Sequence, residues 1–273
     1  SGRRTATLQS ACGGDHHGAA CASHCLRPDP RRGCRNGVDR PEAARYAVYF
    51  TPLPGSVWAQ AGARWLGRGY DGGSAQMPDL LQGFSGSAFA AITRAPRRYG
   101  WHATLKAPFR LAAGRTEAEL LDALLSLAAQ ISRFDLPALA VQRMGNFLAL
   151  VPQQPSAELQ ALAQRCVVEL HDFAAPLDEA DIAARVKQGR LDEEQQALLR
   201  RWGYPHVMHR FRFHMTLTGD LGDLSAAQQT EVEAMAHAQF DDLPQPLTLD
   251  ALSLLLEPDK GADFRLIARA PLR

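Results

Sequence analysis

The 273-residue sequence contains no apolar run approaching the roughly 18 residues that would cross a bilayer. Its N-terminus holds arginines but lacks the apolar stretch of a secretory signal, so a cytoplasmic protein is the expectation. Net charge is also scarce. Thirty Lys and Arg against 29 Asp and Glu leave +1, which argues against a strongly basic surface for long nucleic acid while allowing a local basic groove. There is no G-x-x-x-x-G-K-[ST] phosphate loop, no G-x-S-x-G elbow, and no glycine-rich dinucleotide fingerprint between an expected strand and an expected helix. What is present, 46% hydrophobic and 22% charged residues, is ordinary globular composition able to bury a sizeable core.

Only one of the five cysteines lies outside the first forty residues. That segment also holds three of the nine histidines and a local charge of +4, which leaves −3 on the rest. Cys21-x-x-x-Cys25 with Cys12, Cys34 or His24 offers thiolates and an imidazole suited to zinc, but in a spacing that matches no common finger. Leu8, Leu26 and Val38 are its only sizeable apolar residues, too few to order it by burial. Residues 1–44 are therefore read as a disordered or non-native N-terminal extension. Cys166, alone in an apolar helical pattern, is read as a small core residue.

From Arg45 the pattern is regular. Tyr46–Phe50 reads as a strand ended by Thr51-Pro-Leu-Pro-Gly55, and a helix is expected through Trp58, Trp65 and Leu66. Residues 67–83 read as glycine-rich loop, and Ser85 as the cap of a helix ending near Pro96. Then a tetrapeptide pattern appears twice, 112 positions apart: His102-Ala-Thr-Leu105 and His214-Met-Thr-Leu217. Each copy is followed by a capping box, Thr116-x-x-Glu119 or Ser225-x-x-Gln228, which opens a helix over about 116–132 or 225–239. Each helix leads into a similar punctuation, Phe134-Asp-Leu-Pro137 or Phe240-Asp-Asp-Leu-Pro244. Two short strands follow in each half, 138–144 and 146–152 around Gly145-Asn146, then 247–256 and 263–270 around Pro258-Asp-Lys-Gly261. The unit is strand, helix, hairpin, and a duplicated lobe is the simplest account of it.

Alternation says which way the repeated residues point. Over 211–217 the odd positions Phe211, Phe213, Met215 and Leu217 are apolar, whereas Arg212, His214 and Thr216 are polar. In the first copy Trp101, Ala103 and Leu105 oppose His102, Thr104 and Lys106. Each strand thus turns a His and a Thr towards one polar face, and two lobes related by a pseudo-twofold axis would bring both pairs to one cleft. Two imidazoles suit in-line phosphoester cleavage, one accepting a proton from the attacking oxygen and one protonating the leaving oxygen. Threonine hydroxyls can donate to non-bridging phosphate oxygens. Lys106 and Arg212 share the polar faces in this reading and would attract phosphate. Arg97 and Arg98 precede the first strand, while Tyr204, His206 and His209 lead into the second. Arg98 and Tyr204 are candidate substrate contacts. Neither motif face carries a carboxylate near its His, so no metal and no cofactor is expected.

The strings Arg98-Tyr-Gly-Trp-His-Ala-Thr-Leu-Lys-Ala-Pro-Phe109, Gly203-Tyr-Pro-His-Val-Met208 and Arg212-Phe-His-Met-Thr-Leu-Thr-Gly219 resemble the two-histidine (2H) phosphoesterase superfamily. They are most similar to a bacterial branch whose genes lie beside phosphonate-degradation genes. The resemblance covers about residues 45–273. It implies an α+β, bilobal, pseudo-twofold fold like that of RNA ligases/cyclic phosphodiesterases, with two antiparallel sheets lining a central cleft and helices outside. It also implies His102 and His214 as the acid/base pair, in either order, and Thr104 and Thr216 as phosphate ligands. The expected activity is metal-independent hydrolysis of a small cyclic phosphodiester, such as a ribose cyclic phosphate, in phosphonate catabolism. RNA 2′,3′-cyclic phosphate or 2′-5′ end processing is the second enzymatic reading, and a non-catalytic phosphate-ligand module the third. A helical insertion at about 176–202, with caps at Asp178 and at Asp192 with Gln195, separates the branch from smaller RNA-directed members and sits where a lid or a structural appendage would.

Overall fold

The computed structural model describes residues 44–70, 72, 73, 75 and 85–273. The candidate zinc ligands Cys12, Cys21, Cys25, Cys34 and His24, and part of the 67–83 loop, lie outside the described residues.

In chain order the elements are β1 (Arg45–Phe50), α1 (Val57–Leu66), α2 (Gly86–Arg97), β2 (Ala103–Phe109), α3 (Glu117–Ala128), β3 (Phe134–Asp135), β4 (Leu139–Met144), β5 (Phe147–Pro152), α4 (Ala157–Glu169), α5 (Glu179–Gly189), α6 (Glu193–Trp202), β6 (Met215–Thr216), α7 (Ala226–Phe240), β7 (Thr248–Leu249), β8 (Ala251–Glu257) and β9 (Arg265–Pro271). The expected α+β class is what is observed. Both repeat helices begin with reciprocal capping boxes, Thr116 with Glu119 and Ser225 with Gln228, so local hydrogen bonding sets both starts. The two Phe-Asp punctuations differ in structure: Phe134–Asp135 pairs with Thr248–Leu249 as a small sheet tying the two halves together, whereas Phe240 ends α7 and Asp241 caps it. No helix among the described residues is long and apolar enough to cross a membrane.

The main sheet is antiparallel in the order β4-β5-β6-β2-β1-β8-β9. The hairpin of each repeat lies beside the other repeat's strand: β5 pairs with β6, while β8 joins the β2 side through β1. The two sheets expected from the sequence meet at β2 and β6, where the pair Ala103↔Met215 joins them into one seven-stranded sheet.

One face of this sheet makes the core. Tyr46, Val48, Phe50, Ala103, Leu105, Met215, Leu217, Leu148, Leu150, Leu252, Leu254 and Leu256 pack with Trp65, Leu120, Leu124, Leu162, Cys166 and Phe240 from the helices. Each large aliphatic or aromatic side chain so buried contributes about 1.5–3 kcal/mol. Helix α1 approaches closely because Gly62 has no side chain; a Cβ there would lie 2.0 Å from the Trp101 ring. Trp65 Nε1 donates to the Leu217 carbonyl at 2.8 Å and pins the second H-x-T-L segment to α1. The opposite face carries a smaller cluster, Ala47, Tyr49, Leu255 and Phe264, so β1 and β8 are covered on both sides. That double burial accounts for their nearly unbroken apolar runs.

Candidate active site

The two histidines are held by the same device. His102 Nδ1 donates to the Gly100 carbonyl at 2.8 Å, and His214 Nδ1 donates to the Arg212 carbonyl at 2.8 Å. Each ring is thereby anchored to the backbone two residues earlier, and the hydrogen bonds assign the neutral tautomer in which Nε2 is left as an acceptor. Gly100 makes this possible at the first site: its φ of 72° lies in the left-handed region that a glycine adopts without strain.

The seam between β2 and β6 places the rest. Continuing the Ala103↔Met215 register by one residue in each direction puts His102 across from Thr216 and Thr104 across from His214. All four are on the same face, with cross-strand Cβ separations of about 4.5–5.5 Å. They line one open cleft of about 720 Å³, together with Tyr49, Tyr99, Tyr204, His206, Arg45, Asn146 and Thr218. Thr104 Oγ1 lies 3.3 Å from His102 Nε2 and donates to it in the neutral tautomer. The 176–202 insertion contributes Arg185, Gln188, Gly189 and Leu191 to the wall.

Burial disfavours charge on these rings. The His102 imidazole is pulled down to about 4, mainly by desolvation and partly by repulsion from His214, against the opposing hydrogen bond to Gly100. Burial also lowers His214, again opposed by its carbonyl bond. His206 is lowered by burial and then by the neighbouring His214. A phosphate anion in the cleft acts in the other direction and favours protonation.

The structure thus brings His102, His214, Thr104, Thr216 and Tyr204 together, but not Lys106, Arg212 or Arg98. Lys106 is corrected by a bulge. Tyr49 pairs with Thr104 and Val48 with Lys106, so Leu105 is an extra residue and the alternation slips by one. Lys106 consequently shares the core face with Val48, is 4% exposed, and donates from Nζ to the Val167 carbonyl of α4 at 3.3 Å. Ala107 takes the place it would have had beside the cleft. Arg212 precedes the two-residue β6, where the chain has left the sheet, and its side chain is exposed outside the cleft lining. Its carbonyl, not its guanidinium, serves the site. Arg98 is drawn away by the fully buried Glu257, which it shares with Arg45, and by the Ala262 carbonyl.

Several contributors, Tyr49, Arg45, His206 and Arg185 among them, were not assigned a role from the sequence. His206, read as a loop group, lines the cleft. His209 points elsewhere, to Glu194 at 2.7 Å. Pro108, which cannot donate to a ladder, signals only the second irregularity of β2, between the Lys106 and Phe109 pairs.

Residues 104–265 match a family described as protein of unknown function (DUF1045). Two curated relatives are both named ribose 1,5-bisphosphate phosphokinase PhnN. The protein from Janthinobacterium sp. (strain Marseille) is 39% identical over 236 residues, which are 86% of this chain and 52% of the relative. The protein from Laribacter hongkongensis (strain HLHK9) is 40% identical over 223 residues, 81% of this chain and 50% of the relative. The chain spans about half the length of the curated relatives it matches. Two solved structures also align. E. coli LigT complexed with 3′-AMP has a TM-score of 0.39 and 16% identity, covering 85% of this chain and 99% of that one. A phosphoesterase has a TM-score of 0.35 and 14% identity, covering 84% and 98%.

Proposed function

This chain belongs to the DUF1045 family, and from that premise we propose that it is a metal-independent phosphoesterase of the two-histidine type that opens a small cyclic phosphodiester. The observation that carries the proposal is the pair of imidazoles, each with Nδ1 tied to a carbonyl and Nε2 left as an acceptor, lining one cleft with two threonine hydroxyls. One Nε2 takes a proton from water as its oxygen attacks phosphorus. The other, protonated, gives a proton to the ester oxygen as its bond to phosphorus breaks. Thr104 and Thr216 donate to the non-bridging oxygens, where charge reorganises in the transition state. The product is a monoester with a free hydroxyl.

A cleft of about 720 Å³, walled by Arg185, Gln188 and Leu191, supports a small-molecule substrate over an RNA end. The relatives' name, a kinase of ribose 1,5-bisphosphate, favours a ribose phosphate ester, and the place in phosphonate catabolism is what the motif resemblance implies. The chain carries no phosphate loop of the G-x-x-x-x-G-K-[ST] form, so the phosphokinase chemistry in that name is not part of the proposal. The test is a panel of ribose cyclic phosphates and short RNAs ending in 2′,3′-cyclic phosphate, followed by ³¹P NMR. Opening of a ribose cyclic phosphate is expected. Exclusive turnover of RNA ends would favour end processing, and binding without turnover of any cyclic phosphate would make the protein a binding module.

A further inference from the structure

The two catalytic motifs are alike, but their neighbours across the sheet are not. On one side of the seam Thr104 pairs with Tyr49 of β1, and at the equivalent place on the other side Thr216 pairs with Ala149 of β5. A large aromatic ring and a methyl group therefore occupy corresponding positions beside the two histidines. The Tyr49 ring stacks on the His102 imidazole with centroids 3.8 Å apart and planes 22° from parallel. Among the described residues nothing comparable covers His214. Its described aromatic neighbour, Phe147, is tilted by 54° at 6.0 Å.

We propose, on the two-histidine reading above, that Tyr49 is a positioning residue that keeps His102 neutral, so that His102 is the general base and His214 the general acid. The stacked ring is 1% exposed and removes one face of the imidazole from water, which penalises the imidazolium. The titratable and charged groups around His102 do not offset this. Tyr49 faces it from β1, Tyr99 at 5.9 Å from the segment before β2, and His214 from across the seam. Behind Tyr49 stand Arg45 and Arg98, both cations and both committed to Glu257, with Tyr204 beyond Tyr99. His214 faces His102, His206 and Phe147. The Thr104 hydroxyl, 3.3 Å from His102 Nε2, can donate to that nitrogen when it is unprotonated.

In the reaction, His102 Nε2 accepts the proton of the attacking water as the new oxygen–phosphorus bond forms. His214 Nε2–H protonates the leaving oxygen as the old bond breaks. His102 then returns its proton to solvent and His214 regains one, so the cycle balances without a further reactant.

The experiment is an NMR titration of ¹⁵N-histidine-labelled protein, with His102→Ala and His214→Ala used to assign signals, alongside kcat/KM against pH. In the wild type, His102 is expected to titrate below His214. Tyr49→Val keeps a β-branched residue in the strand but cannot reach the imidazole; it should raise the His102 midpoint and the acid limb of kcat/KM together by about one unit. Tyr49→Phe keeps the stacked ring and should leave both unchanged. His102 titrating at or above His214 in the wild type would overturn the assignment, whether or not Tyr49→Val folds. So would an unmoved His102 midpoint in folded Tyr49→Val. A wild type that opens no cyclic phosphate, while Tyr49→Val still raises the His102 midpoint, refutes the proposed reaction and leaves the effect of Tyr49 on His102 established.

Discussion

Replacing Lys106 with methionine should stabilise the protein and leave its chemistry intact, the reverse of what a phosphate-binding lysine would do. Lys106 is 4% exposed, and burial pulls its ammonium from 10.5 down to about 8. A depression of that size corresponds to roughly 3 kcal/mol that the folded state spends in keeping the lysine charged at pH 7. Lys106→Met fills a similar volume with an apolar chain. It forfeits the bond to the Val167 carbonyl, worth about 1 kcal/mol, and the ammonium's contact with the Phe109 ring at 5.1 Å. The net gain is about 1–2 kcal/mol, or roughly 2–8 °C in Tm for a domain of this size. The sign of the pH dependence is fixed. Because the folded pKa lies below the unfolded one, the penalty is full below about pH 8 and is relieved as pH rises from there towards 10.5. Calorimetry at pH 7 and pH 9.5 should therefore show the advantage of K106M shrinking at the higher pH. A lower Tm for K106M at pH 7 would refute the energetic argument. A tenfold loss of kcat/KM with unchanged Tm would put the ammonium on the substrate after all.

His102→Ala and His214→Ala should each lower kcat/KM by on the order of 10²–10⁴, and the double variant should lose far less than the product, because either change already disables the concerted proton transfer; near-wild-type turnover by either single variant would sink the mechanism. Exhaustive dialysis against EDTA should leave turnover unchanged, and loss restored by a divalent ion would show that a metal takes part. Stability should fall as pH drops from about 6.5 towards 4, because His102 is neutral and depressed to about 4 in the folded chain while an unfolded histidine charges near 6.5. The share due to His102 is about 3 kcal/mol over that window, present above it and lost through it, and urea unfolding of wild type against His102→Ala should expose it as a steeper slope in the wild type.

The parts of the fold legible in the sequence are those set by neighbours in the chain. Capping boxes at Thr116 and Ser225 satisfy their own helices, and the turn at Gly145 has the positive φ, 61°, that its hairpin requires. The H-x-T-L alternation correctly places His102, Thr104, His214 and Thr216 because side-chain direction in a regular strand has period two. Lys106 was misplaced for the converse reason. One extra residue, Leu105, reverses the direction of Lys106, and a second irregularity, marked by Pro108, restores the phase by Phe109. Arg98 and Tyr49 depend on partners far away in sequence. Arg98 answers to Glu257, 159 positions on, and Tyr49 reads as one more aromatic residue in a buried strand until β1 is known to lie beside β2.

That last dependence bears on why, on the proposal above, a duplicated site is used asymmetrically. Were the two imidazoles equivalent, half of the singly protonated molecules would carry the proton on the correct ring for a substrate bound in one orientation. Fixing the proton on His214 thus raises the productive population by a factor of about two at most. So small a gain matters only if the substrate is also held one way round, with its leaving oxygen towards His214. The repeated strands cannot supply that distinction, since they offer a His and a Thr at both ends. It has to come from residues without a counterpart in the repeat: Tyr49 where the other side has Ala149, and Arg185, Gln188 and Leu191 from the insertion. On the two-histidine proposal the duplicated core supplies the proton transfers, and specificity resides in what breaks its symmetry.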